Sequence, residues 1–495
     1  AQTNPETSNL ASGDTYRLEV PQSGIYTLTY SYLTNELNIP ASILDFNHIR
    51  ILSSGEGVVP ESNDVQRPFD PVVVPAYAVG SDDGSFDPGD RLLFYAPGPD
   101  NINVSDEGII KKRNNPYDFN GYVFVQCGDD IPSMEFPEFN IDQEPLQRIT
   151  AIKQFMHHEQ DQVNLQDLNI ANHGTGQRWL GEAFSLNRKQ DFTEALRPTV
   201  ALSADHPAYV SLHFAARASS QTRLRLNVNG ETALFTMSGT NITDSEHRVA
   251  QAAEADRMFE INELNEISLE FLPNSGNDQA WLDYITLNYF SSELNPDVGS
   301  MFYIMPESAD SYKVDLAFSG NGNSPQLFNI TDFPNYYRVP TTLAGDRIQF
   351  SDKGTSTFNR YIAFDADKNY PTPDFIEKIE NQSLKDMEVP HCLVVYANVL
   401  EPAVNRWIAH REAYSHINIE KAEVQQIYNE FSGGKVDPGA IRDLTRYLYE
   451  KDGSTFEYLL LFGAASFDYR HINKNHPDYN MLPTYQTAES YHPIF

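Results

Sequence analysis

The chain has 495 residues, 40% of them hydrophobic and 12% aromatic, ample for folded cores and too long for a single one. Its 35 basic and 69 acidic residues leave a formal charge of −34, which excludes a nucleic-acid groove and disfavours direct adhesion to anionic membranes. Two cysteines exclude a disulfide scaffold, and no apolar run approaches the roughly 18 residues of a membrane-spanning helix.

The polar start Ala1-Gln2-Thr3-Asn4-Pro5 reads as a mature terminus left after signal-peptide removal. Residues 1–143 then read as an all-β domain. Tyr16, Leu18 and Val20 alternate with polar neighbours, and Ser23-Gly24 marks a turn before the run 25–30. Further strands are expected at 49–52, 72–74, 91–95 and 121–125, separated by Gly, Pro and Asn. Asp82, Asp83, Asp87 and Asp90, spaced around glycines, offer oxygen ligands for calcium. The spacing is not that of a twelve-residue EF-hand loop, and an acidic turn whose carboxylates cap backbone amides explains it equally.

A second β region, 144–295, carries strands with one buried face. Val210, Leu212, Phe214 and Ala216 alternate with polar or small residues, and Leu224, Leu226 and Val228 end at Asn229-Gly230, a hairpin turn. With Ile267, Leu269, Phe271, Ile285, Leu287 and Tyr289 the pattern predicts a β-sandwich of jelly-roll type. Trp281 in this region is either a core residue or a ring on which a sugar stacks. His157-His158-Glu159 reads as solvated surface rather than a zinc site, and His173, in Asn172-His173-Gly174, as a loop histidine. Residues 296–388, with strands near 301–304 and 360–364, form a third β module or a bridge.

From Pro390 the texture changes. The apolar run 393–397 suits a parallel strand covered on both faces. Glu401-Pro402 opens a helix, a strand follows near 417–422, and a short helix spans 423–431. Asp437 is the expected N-cap of the next helix, with Pro438 at its first position. The run 458–462 reads as another buried strand. This alternation is the start of a doubly wound α/β domain, at 389–495, with an incomplete sheet.

Several separated motifs occur in one order: Gln177-Arg178-Trp179-Leu180-Gly181-Glu182, Asn381-Gln382-Ser383-Leu384, and Ile427-Tyr428-Asn429-Glu430-Phe431-Ser432-Gly433-Gly434-Lys435. The last joins two helices through a loop with no evident packing purpose. Together with Leu459-Leu460-Leu461-Phe462-Gly463 they resemble the gingipain-like cysteine peptidases, and within them the sortases of the type IX secretion system. The resemblance implies β modules followed by the first half of a caspase-like α/β domain. It implies a cell-surface enzyme, held at the outer membrane through a β-barrel shuttle protein, that removes C-terminal signal domains from cargo and attaches the cargo to anionic lipopolysaccharide.

Such chemistry needs a thiolate and an imidazole. The family carries its histidine in Gly-His-Gly after the third strand and its cysteine further on, so both are expected beyond Phe495. Where the family reads Gly-Asp-Gly-Ser-Tyr-Asp, this chain has Gly463-Ala464-Ala465-Ser466-Phe467-Asp468. Cys127 and Cys392 read as buried thiols. Cys392 starts a strand, whereas open α/β sheets gather ligands at strand carboxyl ends. The alternative is a non-catalytic docking or glycan-binding component of the same machinery.

Overall fold

A computed structural model describes residues 6–491, apart from 66, 129–136, 138, 140–146, 166–175, 245–246, 307–309, 320–323, 356, 476 and 489. In the first module, one antiparallel sheet runs in the order Asp374–Ile379, Asp14–Val20, Gly121–Cys127, Ile49–Ser53, Val72–Val74. A second sheet, Gly24–Thr29, Arg91–Ala96 and Ala76–Val79, shares its core. Tyr16, Leu18, Ile51 and Val125 meet Leu28, Leu92 and Phe94 there, as period-two alternation requires. The strand Asp374–Ile379 returns from far along the chain to pair with Asp14–Val20, Tyr16 lying opposite Lys378.

One eight-stranded sheet unites the middle of the chain. Its order is Gln251–Phe259, Ala208–Arg217, Gln279–Ser291, Ile152–Glu159, Ser300–Ile304, Asn359–Asp365, Pro325–Asn329, Tyr337–Arg338. A four-stranded sheet covers its first half, and Phe184, Leu212, Phe214, Leu226 and Phe271 fill the space between. The expected hairpin of that smaller sheet turns at Asn229 (φ 49°) and Gly230 (φ 90°), left-handed at both central positions as a type I′ turn demands. Against the other half packs a sheet built on Ser311–Phe318 and Arg347–Lys353, around Phe302, Tyr312 and Tyr361. A single sheet therefore crosses the 295/296 boundary drawn from sequence.

The α/β segment has a parallel sheet ordered Ile419–Glu423, Cys392–Tyr396, Tyr458–Phe462. Leu393 and Val395 face one core with Ile427, Phe431 and Leu444, while Val394 faces Val404 on the helix Glu401–Ser415. The predicted cap is in place: the Asp437 carboxylate accepts the Gly439 amide at 2.7 Å and starts the helix Pro438–Glu450. One expectation is corrected. The strand Tyr458–Phe462 is not buried; Tyr458, Leu459 and Leu461 are 59%, 42% and 47% exposed. An apolar run states what a strand can bury, whereas actual burial needs neighbours, and this strand is the last in its sheet.

The loop after Phe431 also proves different from its sequence reading, because it is the clasp between the α/β segment and the first module. Gly433 has φ +65°, and a Cβ there would lie 2.6 Å from Ser54 Cβ. At Gly434 (φ +92°) a Cβ would come within 3.1 Å of Tyr122 Cβ. Lys435 Nζ donates to Gly55 O (2.7 Å), Val436 N to Asp118 Oδ2 (2.9 Å), and Val59 N to Asp437 Oδ2 (2.7 Å). Beneath it Glu430 accepts the Leu384 amide (2.7 Å) and the Gln382 amide (3.0 Å). Two glycines in the left-handed region let the backbones touch, and a buried lysine holds them.

Burial in this clasp pushes the Asp118 and Asp437 carboxyls up to about 6, and lowers Lys435 to about 8. A carboxyl raised on folding binds its proton more tightly in the native state, so its contribution to stability falls as pH rises from about 4 to 6. Asp118→Asn is expected to flatten that slope, by about 2 kcal/mol across the window, in urea melts recorded at pH 4 and pH 6.5.

Candidate functional site

The chemistry-bearing residues singled out in the sequence do not converge. Cys127 ends its strand deep in the first module, where burial pushes the thiol up to about 12. Cys392 opens the central parallel strand, also buried and also raised, chiefly by burial. It lies at the amino end of that strand, away from the carboxyl edge where such sheets bind ligands. A buried thiol raised in this way is neither a ready nucleophile nor a reactive one. Ellman's reagent at pH 8 should therefore titrate neither cysteine in the folded chain and two after denaturation; one fast-reacting native thiol would contradict this assignment.

Asp83 and Asp90 cap amides of their own turn, Asp83 Oδ1 accepting Ser85 N (2.9 Å) and Asp90 Oδ2 accepting Asp87 N (2.6 Å). Among the described residues no group of three His, Cys, Asp or Glu is placed to hold a metal ion. Trp281 is 4% exposed and packs with Leu180, Ala215, Val249 and Tyr491, so neither ring face is open to a sugar. His173 lies outside the described residues.

The reading of His157-His158-Glu159 as solvated surface is overturned. They end the central strand Ile152–Glu159, and the side chains of His157 and Glu159 are 6% and 7% exposed. His157 bonds Thr286 Oγ1 (2.8 Å) and Glu159 Oε2 (3.1 Å), and His158 bonds Glu182 Oε1 (2.6 Å). Burial, helped by Lys112, lowers His157 to about 3, so its ring is neutral.

Around Glu159 opens a cleft of about 560 Å³, where the first module, the eight-stranded sheet and the α/β segment meet. Its size is that of a small-molecule site, ~300–1,000 Å³. One wall is Asn101, Arg113, Asn114, Pro116 and Tyr117; another is Glu159, Asp161, 177–179 and Asp283; the third is 437–439, Arg442, Arg470 and Tyr485. Asp283 binds Arg178 and accepts from His213 Nδ1 (2.8 Å). Burial pushes the Asp283 carboxyl up, yet the His213 hydrogen bond and the Arg178 guanidinium outweigh it and hold it low. Asp161 pairs with Arg470 at 2.8 Å. Glu159 Oε2 accepts the Asn114 amide at 3.0 Å. Burial, then Asp283 and Asp161, raise its carboxyl well above the usual range. Sequence reasoning missed this site, because its residues are charges spread over three modules; an acid and base paired inside a strand pattern, as at Asp283, was the available signal.

Trp179 stacks on Phe467 across the same junction, with centroids 6.2 Å apart and planes at 10°. Asp468, in the loop after the third strand, accepts the Ile472 and Asn473 amides at 2.7 Å each. That loop thus keeps a capping role although position 464 is alanine.

Comparison with known proteins places these features in context. A model of peptidase family C25 matches residues 385–493, the segment holding the parallel sheet. The crystal structure of dimeric latent PorU from Porphyromonas gingivalis has the same fold, with TM-score 0.79 and 21% identity. That likeness covers 99% of this chain and 46% of the other, so the chain spans a little under half of the PorU chain. A Paenibacillus cycloisomaltooligosaccharide glucanotransferase follows with TM-score 0.13 and 7% identity, over 43% of this chain and 44% of its own. No curated protein sequence matches the chain.

Proposed function

We propose that this chain forms the β platform and the opening half of the catalytic domain of a gingipain-like cysteine peptidase. The reacting thiol and imidazole would come from sequence outside it. The observation that carries this reading is the parallel sheet within the C25 match, whose last strand leaves Tyr458, Leu459 and Leu461 uncovered at an unpaired edge. A sheet of this kind works at the carboxyl ends of its strands. Here that end carries the loop 463–468, whose Phe467 stacks on Trp179 in the segment that bonds the strand Gln279–Ser291 through Gly181 N and Leu282 O (2.7 Å).

The resemblance to type IX sortases supports the finer reading. A thiolate attacks the peptide carbonyl at the cargo signal, the imidazole protonates the leaving amine, and the acyl-enzyme passes to water or to an amine on anionic lipopolysaccharide. The partners would be cargo C-terminal signal domains and an outer-membrane β-barrel shuttle protein, at the cell surface. Among the described residues no helix is long and apolar enough to cross a membrane.

The test is peptide hydrolysis. The chain alone should not cleave a cargo-signal peptide, whereas the longer protein containing it should, with loss of activity on thiol alkylation. Cleavage by the chain itself, abolished by Cys127→Ala or Cys392→Ala, would overturn the proposal.

A further inference from the structure

We infer that the three-module cleft is a binding site for an organic cation, an ammonium or guanidinium group such as a lysine or arginine side chain bears, with Glu159 as its counter-ion. The inference rests on which charges in the cleft are already answered. Asp161 is neutralised by Arg470 and Asp283 by Arg178. The two other arginines are occupied as well. Arg442 is held by Asp443 Oδ1 (3.0 Å) and by the carbonyls of Pro60 (2.8 Å) and Glu61 (2.7 Å). Arg113 lies over the Tyr284 ring at 5.4 Å and reaches Glu254 at 3.5 Å.

Among the three carboxyls of the wall formed by Glu159, Asp161 and Asp283, Glu159 is the exception. It is buried to the same degree as Asp161, at 7% exposure, but among the described residues its side-chain partners are the Asn114 amide and a neutral imidazole. A buried carboxyl without a cation is expensive to ionise, and two neighbouring carboxylates make it more so. Among the described residues no lysine or arginine lies within ion-pair distance of Glu159, so an entering cation would be the partner that favours its ionised form. The rings of Tyr117, Trp179 and Tyr485 also line the space, and aromatic faces favour cations. An anionic ligand would find every arginine of the lining already engaged and five carboxyl groups, of Glu61, Glu159, Asp161, Asp283 and Asp437, around it.

This site stands apart from peptidase chemistry, since none of its residues is asked to cleave a peptide. Calorimetric titration of the 495-residue chain tests it with four probes: lysine amide, an acetylated Gly-Lys-Gly amide, norleucine amide and calcium chloride. Lysine amide should bind at least about tenfold more tightly than norleucine amide, which keeps the α-amine and the shape but lacks the side-chain ammonium. Binding of the tripeptide as well would identify a peptide side chain as the ligand; binding of lysine amide alone would identify a free amine.

Glu159→Gln keeps the amide contact and should weaken lysine amide about tenfold or more with an unchanged melting temperature. Tyr485→Ala, at an exposed ring, should weaken it roughly two- to fivefold. Equal affinity for norleucine amide, absence of amine binding, saturable calcium binding in its place, or unaltered affinity in both variants would overturn the assignment.

Discussion

Replacing Asp70 by alanine is expected to destabilise the protein by about 3–5 kcal/mol, because it breaks a buried ion pair between modules. Asp70 Oδ1 lies 2.6 Å from Lys385 Nζ, and Glu430 Oε2 lies 3.4 Å away on the other side. All three side chains are fully buried. The lysine also sits over the Phe431 ring at 5.1 Å. Asp70 further accepts Ser8 Oγ (2.6 Å) and Asn9 N (2.7 Å), fastening the N-terminal segment to the same point. Removing the carboxylate leaves a buried ammonium with a single, more distant partner. The triple variant Asp70→Ala/Lys385→Met/Glu430→Gln should recover most of the loss, because it removes the ammonium along with both of its counter-ions. Urea denaturation checks both; a loss below about 1 kcal/mol in the single variant would show that the ammonium escapes to solvent.

Gly433→Ala is expected to cost about 3 kcal/mol. Of this, about 1–2 comes from a left-handed backbone and about 1–3 from the collision with Ser54. Gly453→Ala separates the two contributions. Gly453 has φ +71° but open space around its Cα, so only the backbone share, about 1–2 kcal/mol, should appear there. Because Gly433 lies in the clasp, its variant should also make the α/β segment more sensitive to protease while the β modules resist. Equal losses at the two glycines would mean that the contact with Ser54 relaxes freely.

Local signals in the sequence carried over well. Asp437-Pro438 starts a helix because its cap and its ring act within one turn, and Asn229-Gly230 turns a hairpin because only such residues accept two positive φ values cheaply. The motifs behind the family resemblance were legible as motifs but not as contacts. Gln382, Glu430 and Gly433 prove to be the surfaces by which modules dock, and no period or propensity encodes a docking partner. Long-range pairing stayed hidden for the same reason: nothing in 374–379 announces that it will border 14–20. His157 and Glu159 misled because three polar residues in succession imitate surface, whereas Thr286 and Asn114 satisfy them inside. Trp281 turned out to be core because its strand is covered on both sides, and Asp83 and Asp90 cap amides of their own turn, Asp90 that of Asp87.

Hydrogen exchange on the strand Tyr458–Phe462 probes the open sheet most directly. Its alternate outward amides should exchange about a hundredfold faster than those of Cys392–Tyr396, which is paired on both sides. Protection across 458–462 equal to that of 392–396 would mean that this edge is already covered. The sheet would then be closed within the chain itself, with no place for further strands to complete a reactive centre.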